Sequence, residues 1–377
     1  MADILQNILK FNPFKKDETS VLGIDLGSSS IKVVQLKRKK GRAVLETYGA
    51  LALGPYAGLE VGRATNLSSD KIAEALLDLM KEANVTTKNC AISIPFRSSL
   101  VTLIDIPTLD QKKLAEMIPL EARKYIPVPI SEVSLDWTIL PKEYDQEVQF
   151  EGEPVDNEVD KDKKTTVLVV AIHNSVLNTY QDIVTKSSLH ASFFEIEMFS
   201  AMRAVLENEQ SPVMIFDMGA ATTKLYVVEK GVIKNSHLIN RGSQDITLNI
   251  ASALNVPVDK AEKIKRAYAP NQKINDKDVK DVILLTLDYI FSETNSFILN
   301  YQKKYNKMIL KTILTGGGVA LNGLLEFSKS GFETDAVLGN PFAKVETPAF
   351  LEEILRLTGP EFSVAVGIAL RKLQEFE

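Results

Sequence analysis

The sequence predicts an α/β protein built as a duplication, with two related halves that each open on a strand, a tight turn and a return strand. Three observations carry this. Residues 23–32 and 215–224 share an apolar-Asp-apolar-Gly signature followed by two small residues, a hydroxyl residue and a lysine seven positions after the aspartate. Strand and helix periodicities alternate through both halves. The 377 residues give length for two to three domain-sized units rather than one compact domain.

Taken in order, Ile4, Leu5, Ile8, Leu9 and Phe11 fall at helical spacing ahead of Lys15 and Lys16. Residues 1–20 are read either as a short surface anchor or as a frayed terminus, and they lack the apolar core and cleavage site of a signal peptide. Residues 21–25 and 31–36 read as strands flanking a Gly-Ser turn, and 43–53 as a third. Ser68 or Ser69 can cap a helix over Ile72, Leu76, Leu77 and Met80, after which 90–94 returns to strand and Pro95 stops it. A helix over 109–125 ends where Pro127 and Pro129 remove backbone donors and force an extended path. From Glu143 to Asp162 nine acidic residues stand among few apolar ones, which predicts a solvated surface loop over 141–164; their spacing is not that of an EF-hand.

Residues 165–172 predict a strand, 175–187 a helix, 192–197 a strand and 199–206 a helix. Polar punctuation at 208–212 marks a boundary, and a second sheet opens at Val213. Helices follow over 243–254, 258–268 and 278–305, the last as one long helix or a bent pair. A strand at 309–314, a glycine turn at 316–318, a helix at 320–328 and a final helix at 362–373 complete the chain.

Bulk properties exclude several functions. A formal net charge of −5 from 44 basic and 49 acidic residues provides no field for nucleic acid. Cys90 is the single cysteine, so neither a disulfide within the chain nor a cysteine zinc site can form, and a buried small apolar role is expected for it. The longest apolar runs, such as 167–172, match buried strands rather than the roughly 20 residues of a bilayer span. The expected compartment is the cytoplasm.

The repeat carries the chemistry. In the first hairpin it comprises Asp25, Gly27, Ser28, Ser29 and Lys32; in the second Asp217, Gly219, Ala220, Ala221, Thr222 and Lys224, the aspartates lying 192 positions apart. Glycine and small neighbours let backbone N–H groups approach phosphate oxygens, so two facing turns would clamp a polyphosphate. An aspartate before each turn would repel phosphate unless a cation intervened, which argues for waters on Mg²⁺ as partners of Asp25 and Asp217. Either Asp-x-Gly alone is an ordinary hairpin turn; the pair is harder to dismiss. Lys32 and Lys224 are weak phosphate candidates, since lysines leading into edge strands are usually solvated. Gly316, Gly317 and Gly318, between a strand and a helix start, would admit a flat purine; they form neither a Walker A loop nor G-x-G-x-x-G. Glu262, Lys265 and Arg266 share one helical side, either as ribose and base contacts or as a solvated charged face.

This order of motifs resembles the actin, heat-shock chaperone and sugar-kinase superfamily over residues 21–373. The resemblance implies an actin-like (ribonuclease H-like) duplicated fold, with ATP and Mg²⁺ held by both hairpins and adenosine by Gly316–Gly318 and by Glu262, Lys265 and Arg266. It places Glu197 as a connecting-helix acid near the attacking water, a capping carboxylate being the alternative. Ala220 and Ala221 depart from the usual glycine run, so ATP binding is a safer expectation than turnover, and any ATPase activity is expected to be slow.

Within the superfamily the chain is similar to the bacterial subset that includes the FtsA and PilM families. Glu121-Ala122-Arg123-Lys124-Tyr125-Ile126-Pro127-Val128-Pro129 and the end of the chain just past its last helix favour PilM, the inner-membrane platform family of type IV pili. That resemblance implies a first lobe of 21–97, 173–211 and 361–377, an inserted subdomain of 98–172 and a second lobe of 212–360. It also implies an adaptor at the cytoplasmic face of the inner membrane, associated with it mainly indirectly. Its partners would be the N-terminal peptide of a PilN-like protein, bound in a groove beside the insertion, and other pilus platform components. An FtsA-like filament-forming tether of cell division and a small-molecule kinase, with Asp105 or Asp136 as base, are the alternatives.

Overall fold

The structure is a computed structural model and describes residues 20–107, 111–141, 164–207, 209–269 and 276–375. The amphipathic stretch at residues 4–11 and nearly all of the acidic segment lie outside the described residues.

The first sheet contains β1 (Ser20–Leu26), β2 (Ser30–Lys39), β3 (Arg42–Ala52), β4 (Asn89–Ile94) and β8 (His190–Ile196), in the order β3-β2-β1-β4-β8. β1, β2 and β3 pair antiparallel, while β4 and β8 add in parallel. β1 is buried from Val21 to Leu26, and apolar there apart from Asp25, because both of its faces are covered. Leu22 and Ile24 pack with Leu76 and Leu79 of α1 (Ser69–Glu82) and with Ile183 of α3 (Asn174–Lys186). Val21, on the opposite face, packs with Ala365 and Ala369 of α10 (Ser363–Gln374). A Cβ on Gly23 would lie 2.0 Å from the Ala365 carbonyl oxygen, so only glycine lets α10 cross β1 so closely.

The second sheet repeats this connectivity. It is ordered β11-β10-β9-β12-β13, from β9 (Val213–Met218), β10 (Thr223–Glu229), β11 (Val232–Ile239), β12 (Lys311–Thr315) and β13 (Asp335–Leu338). Met214, Phe216 and Met218 face a core filled by α5 (Ser243–Leu254), α6 (Val258–Ala267), α7 (Asp276–Tyr305) and α8 (Leu324–Gly331). Ile215 and Tyr226 turn the other way, into the cluster that holds Val21, α4 (Glu197–Val205) and α10. One apolar core therefore joins the two sheets.

A third, wholly antiparallel sheet, β5-β7-β6, is formed by β5 (Ser99–Pro107), β6 (Val133–Ile139) and β7 (Lys164–His173). Leu114, Ile118 and Ala122 of α2 (Gln111–Ala122) cover it, against Ile104, Ile106, Val167 and Val169.

Several local expectations differ from the structure. β6 and β13 were not apparent, being short or only half buried, and α9 (Glu352–Thr358) is a further short helix near the end. The glycine turn leads into a 3-10 turn at Gly317–Ala320, and α8 begins only at Leu324. α7 is one continuous helix, long and apolar enough by composition to cross a bilayer. Its Ile283, Leu287, Ile290 and Ile298 are fully buried in the second core, which accounts for part of that apolarity, while Leu285 and Tyr289 on the same helix are exposed.

Candidate functional site

Both hairpins close on two-residue loops. Gly27 N–H donates to the Ser30 carbonyl at 3.0 Å around Ser28-Ser29, and Gly219 N–H to the Thr222 carbonyl at 2.9 Å around Ala220-Ala221. A Cβ on Gly27 would lie 2.9 Å from the Ser30 carbonyl oxygen, which is why the tight turn uses glycine. None of Ser28, Ser29, Ala220 and Ala221 takes a positive φ. Alanine therefore costs no strain in the second turn, and the expected restriction by Ala220 and Ala221 is corrected.

The turn carbonyls are occupied from outside the loops. Thr65 N–H donates to Ser28 O, Leu53 N–H to Ser29 O, Ser243 N–H to Gly219 O and Gln244 N–H to Ala220 O. Among the described residues, the N–H groups of Ser28, Ser29, Ala220 and Ala221 donate no hydrogen bond. All four residues line a single cavity of about 750 Å³, together with Asp25, Lys32, Glu197, Asp217, Lys224, Glu262, Lys265, Arg266 and the three glycines at 316–318. Bare amides at two facing turns form an anion-binding concavity.

A two-residue loop with a seven-residue Asp-to-Lys spacing sets Lys32 directly opposite Asp25, and Lys224 opposite Asp217. Neither lysine is solvated as expected, because β2 and β10 are flanked on both sides and are not edges. Lys32 is only 7% exposed; its Nζ donates to Ser30 Oγ at 3.0 Å and forms no ion pair among the described residues. Burial raises the pKa of Glu361, another lining residue, against the pull of Lys32 and Arg266.

Lys224 is placed differently. Its Nζ lies 2.7 Å from Glu197 Oε2 and 3.0 Å from Asp217 Oδ2, and those two carboxylates hold it charged well above the usual lysine range although burial opposes this. Tyr226 donates to the same Asp217 oxygen at 3.0 Å. Glu197, the first residue of α4, accepts the Phe96 N–H at 2.7 Å with Oε1, so its carboxylate reaches across to the β4–β5 junction and does not cap its own helix. Burial, with Asp217 and Asp25 nearby, raises the Glu197 pKa despite Lys224.

The fit to a divalent metal is therefore uneven. Asp25 accepts only Ser93 Oγ at 3.1 Å and carries no cation among the described residues, so it can take metal-bound water. Asp217 does not fit that role: one oxygen already receives an ammonium and a phenol, and the other crowds Gly316, where a Cβ would lie 2.3 Å away.

At the far end, Gly316 takes φ +88°, a left-handed conformation suited to glycine, while a Cβ on Gly317 would meet nothing within 4 Å. That open side suits a flat ring. Glu262 is buried and saturated, by Lys265 at 2.7 Å and Thr247 at 2.7 Å on one oxygen and by Arg266 Nε at 2.7 Å on the other. Burial works against its ionisation, but the cations and hydroxyl hold its pKa below the usual range. Lys265 also donates to the Ser243 carbonyl at 3.2 Å, so Glu262 and Lys265 form a packed wall while Arg266 stays exposed beside it. A loop of the first half meets it: Ala64 N–H donates to Gln244 Oε1 at 3.0 Å, and Gly62 abuts the Glu262 carboxyl.

Sequence reading missed Ser93, Tyr226, Gly62 and Glu361. Only Tyr226 had a local signal, since it lies two residues after Lys224 on the same face of β10. Asp105 and Asp136 stand on the third sheet and do not line the cavity; Asp105 accepts Thr166 Oγ1 at 2.7 Å.

The duplicated sheets and the hairpins facing one cavity define an actin-like protein. The chain belongs to the family of type IV pilus assembly protein PilM, whose model matches residues 23–373. It is 23% identical over 361 residues to the cell division protein FtsA of Neisseria meningitidis serogroup B, covering 84% of this chain and 82% of that protein. Among solved structures, the PilM-PilN type IV pilus biogenesis complex matches with a TM-score of 0.76 at 23% identity, over 94% of this chain and 98% of that one. MreB5 of Spiroplasma citri bound to ADP matches with a TM-score of 0.51 at 10% identity, over 95% and 98%.

Proposed function

We propose that this pilus assembly protein binds ATP in the cleft and acts as an adaptor whose lobe geometry, set by nucleotide, alters its grip on a membrane partner. The observation that carries the reading is the buried, ion-pair-free ammonium of Lys32 in the same cavity as the four bare turn amides, a combination suited to a polyphosphate. The open side of Gly317 suits adenine, and MreB5 was solved with ADP on the same fold. Mg²⁺ accompanying the triphosphate would meet Asp25 through water. Both oxygens of Glu197 are committed, which supports binding with at most slow hydrolysis.

The proposed partner is the N-terminal peptide of a PilN-like inner-membrane protein, in keeping with the family and with the solved PilM-PilN complex. β5 and β6 are the edges of the third sheet, and an extended peptide can add to such an edge. On this reading the protein works at the cytoplasmic face of the inner membrane, held there mainly by that partner and other pilus platform components.

Titration of fluorescent ATP into the purified protein tests the cleft. Lys32→Met is expected to weaken binding at least about tenfold, and Asp25→Ala to lose the gain in affinity that Mg²⁺ provides. Unchanged affinity in both variants would reject the nucleotide reading. A PilN-derived peptide that binds equally with and without ATP would reject the coupling.

A further inference from the structure

The repeat makes Lys32 and Lys224 equivalent by position, yet their surroundings divide their work. Lys32 keeps its charge for the cavity, whereas Lys224 spends its charge on two acids of this chain. Those acids come from separate elements, Glu197 from the start of α4 and Asp217 from the end of β9, and both are nine-tenths buried. Two carboxylates brought this close in a buried site need a cation. In a nucleotide cleft that cation is ordinarily a hydrated divalent metal, and here the protein supplies an ammonium instead.

Resting on the nucleotide reading above, we infer that Lys224 is the resident counter-cation of Glu197 and Asp217, a positioning residue that keeps this acid pair from recruiting a divalent ion and keeps Glu197 turned away from water. Cross-strand register holds Lys224 against Asp217 as part of the hairpin itself, so no loop movement is needed to place it. Tyr226, on the same face of β10, anchors the shared Asp217 oxygen from the other side. Counting Asp25, Lys32, Glu197, Asp217 and Lys224, removal of the Lys224 charge takes the group from one net negative charge to two. A cavity with that charge draws metal ions strongly.

The test uses Mn²⁺ as the probe, titrated into the nucleotide-free full chain and read by electron paramagnetic resonance. Lys224→Met and Lys224→Gln are compared with the wild type; the glutamine keeps a hydrogen-bonding side chain in case the methionine variant does not fold. Either variant is expected to bind Mn²⁺ at least about tenfold more tightly than the wild type. Lys224→Arg should behave as the wild type, and adding Asp217→Asn to the glutamine variant should abolish the gain. Equal Mn²⁺ binding by wild type and Lys224→Gln, or a gain that survives Asp217→Asn, overturns the assignment. ATP titrated in Mg²⁺ on the same proteins decides the nucleotide reading separately: absence of binding there overturns that reading, while the Mn²⁺ comparison still decides the role of Lys224.

Discussion

Glu195 lies two residues before Glu197 but has a different task. Its carboxylate takes two hydrogen bonds from Arg203, both at 2.8 Å, one from Arg371 at 2.6 Å and one from Ser200 at 2.5 Å, tying β8, α4 and α10 together. Burial opposes its ionisation, but Arg203, Ser200 and Arg371 hold its pKa below the ordinary value. The folded pKa is thus depressed, so its contribution to stability is present above the unfolded value of about 4.3 and lost as pH falls through the folded one. Removing the acid leaves Arg203 and Arg371 unpaired beside the core. Glu195→Ala is expected to cost about 3 kcal/mol, read as a lower urea midpoint at pH 7. Glu195→Gln should show a shallower loss of stability than the wild type below about pH 4.

Among the elements, α10 decides most, because it packs against both β1 and α4. A Cβ on Gly367 would lie 1.8 Å from the Ser200 carbonyl oxygen, a backbone atom of α4 that cannot move aside alone. Gly367→Ala is expected to destabilise the protein by roughly 3 kcal/mol, measured by urea unfolding, although alanine is the better helix former. The second hairpin predicts the opposite sensitivity. Ala220 has an ordinary φ, so Ala220→Gly should only loosen the unfolded chain, costing about 0.5–1 kcal/mol in the same assay while leaving ATP affinity within about twofold.

At the scale of the molecule, the two sheets share a core and contribute separate walls to one cavity. A ligand that touches both walls stabilises the closed arrangement of the whole chain. At 100 times its dissociation constant, ATP is expected to add about 2.7 kcal/mol, seen by calorimetry as a rise in the unfolding temperature. With about tenfold weaker binding, Lys32→Met should reduce that gain to about 1.4 kcal/mol at the same ATP concentration. An equal rise in that variant would mean that the nucleotide acts elsewhere.

By itself, the sequence determined the duplication, the two hairpins and the Asp–Lys opposition within each, because a seven-residue spacing around a two-residue loop is a local fact that antiparallel pairing turns into geometry. The expected ATP cradle drew on that same local chemistry. Only the tertiary structure decided which lysine is free and which is committed. Lys32 and Lys224 are indistinguishable by spacing, and they differ because α4 brings Glu197, distant in the chain, up to Lys224 while, among the described residues, no acid forms an ion pair with Lys32. Ser93 reaches Asp25 only through the parallel pairing of β1 with β4, and Gly62 meets Glu262 only across the cleft. Such contacts depend on closing long stretches of chain, and no local pattern of residue types records them.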